Sequence, residues 1–329
     1  MRTKAGICYF CGVNTQEPMY DLITILGPTA CGKTVVATQL ADKLGEAEII
    51  SADSRQVFRG MDIGTGKDLS DYEVEGRHIP YHLIDICEAG SKYSVFEFQR
   101  DFLAAYNNIC SRGKRAILCG GTGLYIESVL RAYKLVEVPV NAALRKRLEG
   151  KSLEELTALL ATFKRLHNTT DVDTARRAIR AIEIEVFYKE NHIEETQPFP
   201  SLHSLTIGLN VPREVRRTRI TERLHRRLEQ EKMLDEVRGL LEQGVSADAL
   251  LSYGLEYRYL TLHLQGKMSY DEMVDQLEIA IHQFSKRQMT YFRGMERRGV
   301  EIRWVDATRP VEDVVKDIMN SVNYESGIR

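Results

Sequence analysis

An octet near the start of the chain, Gly27-Pro28-Thr29-Ala30-Cys31-Gly32-Lys33-Thr34, has the residue types and spacing of a phosphate cradle. Gly27 and Gly32 let the backbone fold so that successive N–H groups point inward, and a helix beginning at this point adds its positive end. Lys33 brings a mobile cation, and the Thr34 hydroxyl suits a Mg²⁺ ion held between two phosphates. The loop is expected to bind a di- or triphosphate, ATP by motif alone. Whether that phosphate is hydrolysed, transferred or released as a leaving group is left open.

Two further stretches offer chemistry at the same rim. A short apolar strand in Glu48 to Phe58 runs into Asp53-Ser54-Arg55-Gln56, and in an open α/β sheet the groups just past the strands' carboxyl ends line the ligand crevice. Asp53 can there take a proton or hold a metal, or simply cap a following helix. A second strand, Arg115 to Cys119, ends in Gly120-Gly121-Thr122-Gly123-Leu124-Tyr125, where glycines permit close approach and Thr122 presents a hydroxyl. It lacks the acidic end that a motor-type ATPase would use to activate water. Asp85, behind Leu83-Ile84, weakly imitates such an acid; a metal role and chance stand side by side.

The elements that position these groups follow from apolar spacing. An apolar run from Leu22 forms a strand before the loop, and helical spacing follows it. Gly60 to Gly66 is turn-rich and Asp68 to Gly76 polar, together a mobile loop; His78 to Ile86 returns to a strand. Ser94 to Ser111 reads as a helix whose Phe96, Phe98, Phe102 and Tyr106 pack the core. From about residue 136 to Pro200 the character turns helical, with one stretch from Asn141 through Lys164 and another, capped by Asp171 or Asp173, carrying Arg176, Arg177 and Arg180. Leu205 to Val211 reads as the final sheet strand, then helices to about Arg298 and a short strand within Val300 to Val305.

The fold class is therefore α/β, a P-loop NTPase-like (nucleotide-kinase-like) parallel sheet flanked by helices, with an inserted helical subdomain. Residues 19–135 and 201–310 make the core with its C-terminal helices, and residues 136–200 the insert. Residues 1–18 are expected to be a disordered tail or to lie upstream of a true start at Met19, and residues 311–329 to be a C-terminal tail.

Composition narrows the class. With 45 basic against 47 acidic residues in 329, the net charge of −2 gives no global warrant for nucleic-acid binding. The distribution is more telling: seven arginines fall between Arg213 and Arg227, with smaller clusters at Arg145-Lys146-Arg147, Arg176-Arg177-Arg180 and Lys286-Arg287. Solvated helix faces account for some; the remainder could line a polyanion path. Six scattered cysteines form no disulfide framework, and the C-x-x-C pair Cys8/Cys11 lacks a second pair at zinc-site spacing. No apolar run approaches the roughly 18 residues a membrane helix needs, so a cytoplasmic protein without membrane contact is expected.

Taken in order, GPTACGKT, ISADSRQVF, GMDIGTGK, HLIDI, GGTGLY, RRAIRAIEI and KRQMTYFR resemble the tRNA dimethylallyltransferase (tRNA isopentenyltransferase) family over roughly Asp21 to Val305. The resemblance implies transfer of a dimethylallyl group from dimethylallyl diphosphate to N6 of adenosine 37 in tRNAs reading codons that begin with U, with pyrophosphate leaving. It implies Gly27 to Thr34 and Arg223 as diphosphate-binding residues, Mg²⁺ on Thr34, and Asp53, Thr122 and Lys33 as catalytic residues, with Asp53 the base. Asp53, Ser54, Arg55, Gln56 and Thr122 would meet the target base. Arg145, Arg176, Arg177, Ala178, Ile179, Arg180, Lys286, Arg287 and Gln288 would meet the tRNA anticodon stem-loop, with a monomer as the working form. The chain departs from the family pattern at Tyr253-Gly254-Leu255-Glu256-Tyr257-Arg258, where Glu256 stands at the family's glycine, at Cys31, and at Gly66-Lys67-Asp68-Leu69, which lacks the usual proline. Alternatives are an isopentenyltransferase acting on free adenine nucleotides, a P-loop small-molecule kinase and a non-catalytic RNA-binding protein.

Overall fold

The computed structural model describes residues 20–164, 172–191 and 199–325. The expectations for residues 1–18, for Met19 and for Asp171 lie outside the described residues. Two compact units separate at Arg131/Ala132 and at Pro200/Ser201.

In chain order the first unit opens with β1 (Leu22–Leu26), α1 (Lys33–Leu44), β2 (Ala47–Ser51), a small hairpin of β3 (Glu73–Val74) and β4 (Arg77–His78), then β5 (Tyr81–His82), α2 (Val95–Ser111), β6 (Arg115–Gly120) and α3 (Gly123–Leu130). The second unit consists of α4 (Ala142–Leu148), α5 (Leu153–Ala161) and α6 (Ala175–Glu190). The first resumes with β7 (Ser204–Asn210), α7 (Arg213–Glu229), α8 (Met233–Glu242), α9 (Ala247–Ser252), α10 (Leu255–Leu264), α11 (Tyr270–Arg297), β8 (Arg303–Asp306) and α12 (Val311–Glu325).

Strands that are apolar throughout, rather than alternating, belong to a sheet covered on both faces. The six-stranded sheet has the order β5-β2-β6-β1-β7-β8, with every pairing parallel, and all five residues of both β1 and β2 are buried. On one face Val36, Ala37 and Leu40 of α1 join Ile25, Ile117 and Ile207 in a single core with Val314, Val315, Ile318 and Val322 of α12. Residues 311–329, expected as a tail, thus include a helix whose apolar stripe at 314, 315, 318 and 322 closes that core. On α2, Phe98 stacks on Tyr125 at 4.2 Å between ring centres, and the Ser94 hydroxyl and Glu97 form a capping box at the helix start.

Three other expectations shift. Within the segment His78 to Ile86 only Tyr81–His82 joins the six-stranded sheet, His78 pairing in the β3–β4 hairpin, because Leu83 and Asp85 take left-handed backbone conformations, φ 62° and 55°, that end the ladder. The stretch from Asn141 to Lys164 divides into α4 and α5 around Gly150, and α6 is capped by Thr174 rather than Asp173. Leu205 to Val211 is not the last sheet strand, since β8 adds beyond β7.

The inner rim of β2 carries a buried carboxylate. Glu48, 2% exposed, accepts from Arg112 at 2.6 and 2.7 Å, from Lys114 at 2.9 Å, and pairs with His82 at 2.8 Å. The Arg112 bonds outweigh burial and hold its pKa well below the ordinary 4.5. Because the folded-state value is the lower one, this stability is present above about pH 4.5 and lost as the pH falls. The Glu48→Gln variant should lose about 2 kcal/mol at pH 7, solvent screening part of the effect because the partners are partly exposed. Urea midpoints should show the gap to the parent narrowing toward pH 3; a gap independent of pH would rule the charge out.

Candidate active site

The octet folds as its composition requires. Ala30 and Gly32 take left-handed conformations, φ 62° and 82°, and α1 begins at Lys33. Among the described residues the N–H groups of residues 30–34 donate to no backbone carbonyl, so five consecutive donors stand free at the positive end of α1. Lys33 Nζ rests on the Pro28 carbonyl at 2.8 Å and on Cys31 Sγ at 3.9 Å. Cys31, 1% exposed, packs inward beside Gly27. A Mg²⁺ ion bridging a diphosphate takes oxygen ligands and keeps several waters. The Thr34 hydroxyl, half-buried and with no hydrogen-bond partner among the described residues, fits such a ligand.

The carboxyl ends of β2 and β6 meet at one close backbone approach. A Cβ on Gly120 would lie 2.2 Å from the Ala52 carbonyl oxygen, and Ala52 N–H donates to Cys119 O at 2.7 Å while Thr122 N–H donates to Ala52 O at 3.2 Å. Asp53 and Thr122 therefore emerge side by side. The Thr122 hydroxyl accepts from Ser54 N–H at 3.0 Å, and Asp53 Oδ1 accepts from Arg55 N–H at 2.9 Å. Buried Cys119 beneath them senses both Lys33 and Asp53; burial pushes its thiol up to about 12, with Lys33 pulling the other way. A Cβ on Gly121 would lie 3.8 Å from Lys33 Cε, so the phosphate-loop lysine borders the same rim as the predicted hydroxyl and base.

The remaining predicted residues separate into groups. Gln56 accepts from Ser51 Oγ at 3.0 Å and donates to the Gly66 carbonyl at 3.0 Å, so its amide ties the strand end to the 60–68 segment. Burial lowers the Arg55 pKa, with Asp53 opposing it. Arg223 of α7 reaches the phosphate loop, donating from Nη2 to Thr29 Oγ1, and burial holds its pKa down to about 10. Lys286 and Arg287 are exposed on α11 in a groove of about 390 Å³ with Gln283, Thr290 and Tyr291. Gln288, expected at the RNA, is instead 8% exposed: it accepts from Thr29 N–H at 2.8 Å and donates to Gly121 O at 3.0 Å, bridging the two glycine loops.

Within the helical unit, Arg145 donates to Glu183 at 2.8 and 3.0 Å, and Arg180 to Glu183 and to Val138 O at 2.9 Å. Burial raises the Glu183 pKa, but those arginines and the Asn141 N–H together hold it at about 2. Arg177 pairs with Asp173, and Arg176 is exposed without an ion pair among the described residues. Ala178 is wholly buried and Ile179 packs against the same cluster, so these two, expected at the RNA, serve the core of this unit.

Sequence reasoning missed a second set. Lys67, 1% exposed, donates to Phe58 O at 2.7 Å, Asp62 Oδ1 at 2.6 Å and the Asp85 carboxylate, which commits Asp85 to an internal ion pair rather than a metal. Glu236 of α8 receives three successive N–H groups, from Asp62 at 2.8 Å, Ile63 at 2.7 Å and Gly64 at 3.1 Å, and the Tyr257 hydroxyl at 2.6 Å. The segment expected to be mobile is clasped from both sides. The absence of a proline from Gly66-Lys67-Asp68-Leu69 was the one local hint.

A parallel sheet with a glycine-bounded loop running into its first helix, a lysine at the helix start and a carboxylate on the neighbouring strand end define an α/β protein of P-loop NTPase-like fold. Residues 56–295 match the family model described as IPP transferase, and the chain belongs to that family. It is 62% identical over 298 residues to the tRNA dimethylallyltransferase 2 of Bacteroides fragilis, covering 91% of this chain and 96% of the relative. It is 50% identical over 303 residues to the tRNA dimethylallyltransferase 2 of Syntrophotalea carbinolica, covering 91% and 99%. Among solved structures, the tRNA isopentenylpyrophosphate transferase of Bacillus halodurans matches with a TM-score of 0.67 at 29% identity, covering 93% and 96% of the two chains. A eukaryotic dimethylallyltransferase acting on tRNA shares the fold, with a TM-score of 0.74 at 22% identity.

Gly120→Ala should force β2 and β6 apart, since the obstructing atoms are backbone. We expect a loss of about 3 kcal/mol in stability. In the fraction that stays folded, turnover should fall by more than diphosphate affinity; an alanine variant with parental turnover would mean that the strand-end approach does not set the Asp53–Thr122 geometry.

Proposed function

We propose that this protein transfers a dimethylallyl group from dimethylallyl diphosphate to N6 of adenosine 37 in the anticodon loop of tRNAs reading codons that begin with U. The observation that carries this reading is the convergence of Asp53, Thr122 and Lys33 beside a loop with five free N–H donors, while Asp85 is committed to Lys67. That arrangement has a proton acceptor for an incoming nucleophile and a cradle for a departing diphosphate. The neighbouring β6 end, Gly120-Gly121-Thr122, carries no second carboxylate.

In this reading N6 attacks C1 of the dimethylallyl group, a C–N bond forms, and the C–O bond to the diphosphate breaks. The N6 proton passes to Asp53, a need set by the weak nucleophilicity of an exocyclic amine. Charge gathering on the leaving group meets the N–H groups of residues 30–34, Lys33 and Arg223, with Gly27 to Thr29 completing the cradle. Thr34 would hold Mg²⁺, which when bound neutralises part of the diphosphate charge. Thr122 and Ser54 hold the acceptor edge, and Gln56 with Arg55 borders the base. The target nucleotide has to leave its stack to reach this crevice. Exposed Arg176 on the helical unit, and separately Lys286 and Arg287 on α11, are suited to the RNA backbone. The working form is a monomer in the cytoplasm.

Purified protein would be incubated with radiolabelled dimethylallyl diphosphate and Mg²⁺, offering tRNA that lacks the modification in parallel with AMP and ATP. Label in tRNA at adenosine 37 is the expected outcome; label in free nucleotide, or in neither, would refute the assignment. Asp53→Ala should lower turnover by about 10²- to 10⁴-fold with tRNA affinity nearly unchanged. Parental turnover in that variant would remove Asp53 from the base role.

A further inference from the structure

Two glycines flank Thr122, and α11 meets both of them. A Cβ on Gly121 would lie 2.7 Å from Gln288 Nε2, and one on Gly123 would lie 2.2 Å from Tyr291 Cδ1. Gln288 and Tyr291 stand three residues apart on α11 and so share one face of the helix. The Tyr291 hydroxyl donates to Glu127 at 2.7 Å, and Arg298 donates to the same buried carboxylate at 2.6 and 2.9 Å. The Thr122 turn is therefore flanked on both sides by one turn of α11, and α11 is itself fastened to α3, the helix that Thr122 caps.

On the phosphate-loop side, Thr29 is held twice. Its N–H donates to Gln288 Oε1 at 2.8 Å, and its hydroxyl accepts from Arg223. Gln288 Nε2 donates in turn to Gly121 O at 3.0 Å, so a single carboxamide spans the two glycine loops. The loops face each other closely here, since a Cβ on Gly121 would also come within 3.6 Å of Gly27 O. Gln288 is 8% exposed whereas Lys286, Arg287 and Thr290 around it are exposed, so its amide is turned away from the surface suited to RNA. A neutral carboxamide can accept from one loop and donate to the other at once.

We propose, on the reading of this crevice as the prenyl-transfer site, that Gln288 is a positioning residue for the transfer step. Its carboxamide fixes the gap between the phosphate loop and the Thr122 turn, and with it the distance from the leaving diphosphate to the acceptor nitrogen. Displacing reacting groups by about 1 Å costs about a hundredfold in rate. Without the carboxamide each loop keeps anchors of its own: Thr122 N–H stays on Ala52 O, and Thr29 stays on Arg223. Both ligands then still bind, while their separation is no longer set.

The test compares the full-length parent with Gln288→Met and Gln288→Asn in three measurements. These are single-turnover transfer of the radiolabelled dimethylallyl group to tRNA, calorimetric titration of inorganic pyrophosphate with Mg²⁺, and tRNA binding. Methionine keeps the length and volume of glutamine and removes both hydrogen bonds. Asparagine keeps both polar groups but is one methylene too short to span the gap. Both variants should slow single turnover by about 30- to 100-fold, with affinities for pyrophosphate and for tRNA within about threefold of the parent, the signature of an interaction that matters in the transition state alone. A residue that only supports the fold of the loop would lower pyrophosphate affinity along with the rate, and a residue that reads RNA would lower tRNA affinity. Either pattern, or a parental rate in either variant, overturns the inference while label transfer by the parent keeps the prenyl-transfer reading intact. A parent that transfers no label overturns both.

Discussion

The crevice depends on how closely two strand ends can approach. Gly120 permits β6 to lie against the Ala52 carbonyl, and that oxygen then receives the Thr122 N–H. A side chain at this position would force the backbone of one rim to move away from the other. Because Asp53 follows Ala52 directly and Thr122 stands two residues after Gly120, their spacing is a property of backbone contact rather than of flexible side chains. The placement of both side chains is thus held by the doubly covered parallel sheet.

Electrostatics divides the arginines into two populations. Arg145 and Arg180 are engaged by Glu183, and Arg227 by Asp68, so part of the positive charge that could attract a polyanion is already balanced. Arg176, Lys286 and Arg287 stand exposed without such partners among the described residues. A count of basic residues cannot separate these populations, because pairing depends on which carboxylate the fold delivers. Charge clusters in a near-neutral chain carry information only after the internal pairs are subtracted.

The phosphate loop, Asp53 and Thr122 were legible because each sits at the end of an apolar strand, where local pattern fixes position. The parallel architecture was legible for the same reason. Gln288 was not, since its partners Thr29 and Gly121 lie 259 and 167 residues away in sequence. Glu236 and Lys67 were missed likewise: nothing local marks a glutamate as the acceptor for three distant N–H groups, or a lysine in a turn-rich segment as buried. The short β5 and the helical α12 show the converse, where local apolar content misjudged a strand's length and a terminal helix's packing. Ala178 and Ile179 illustrate a motif whose middle residues pack on the core while Arg176 and Arg177 stand exposed.

The grip of Glu236 on residues 62–64 has a thermodynamic consequence. Each residue held in a single backbone conformation costs about 1–2 kcal/mol of entropy, and for this segment that cost falls on folding, where three N–H bonds and the Lys67 pair offset it. A ligand entering the crevice then meets a rim that is already ordered, and its binding energy is not drained by fixing the loop. The turn-rich segment is thereby a preorganised wall, with its stiffness supplied by a helix 172 to 174 positions downstream.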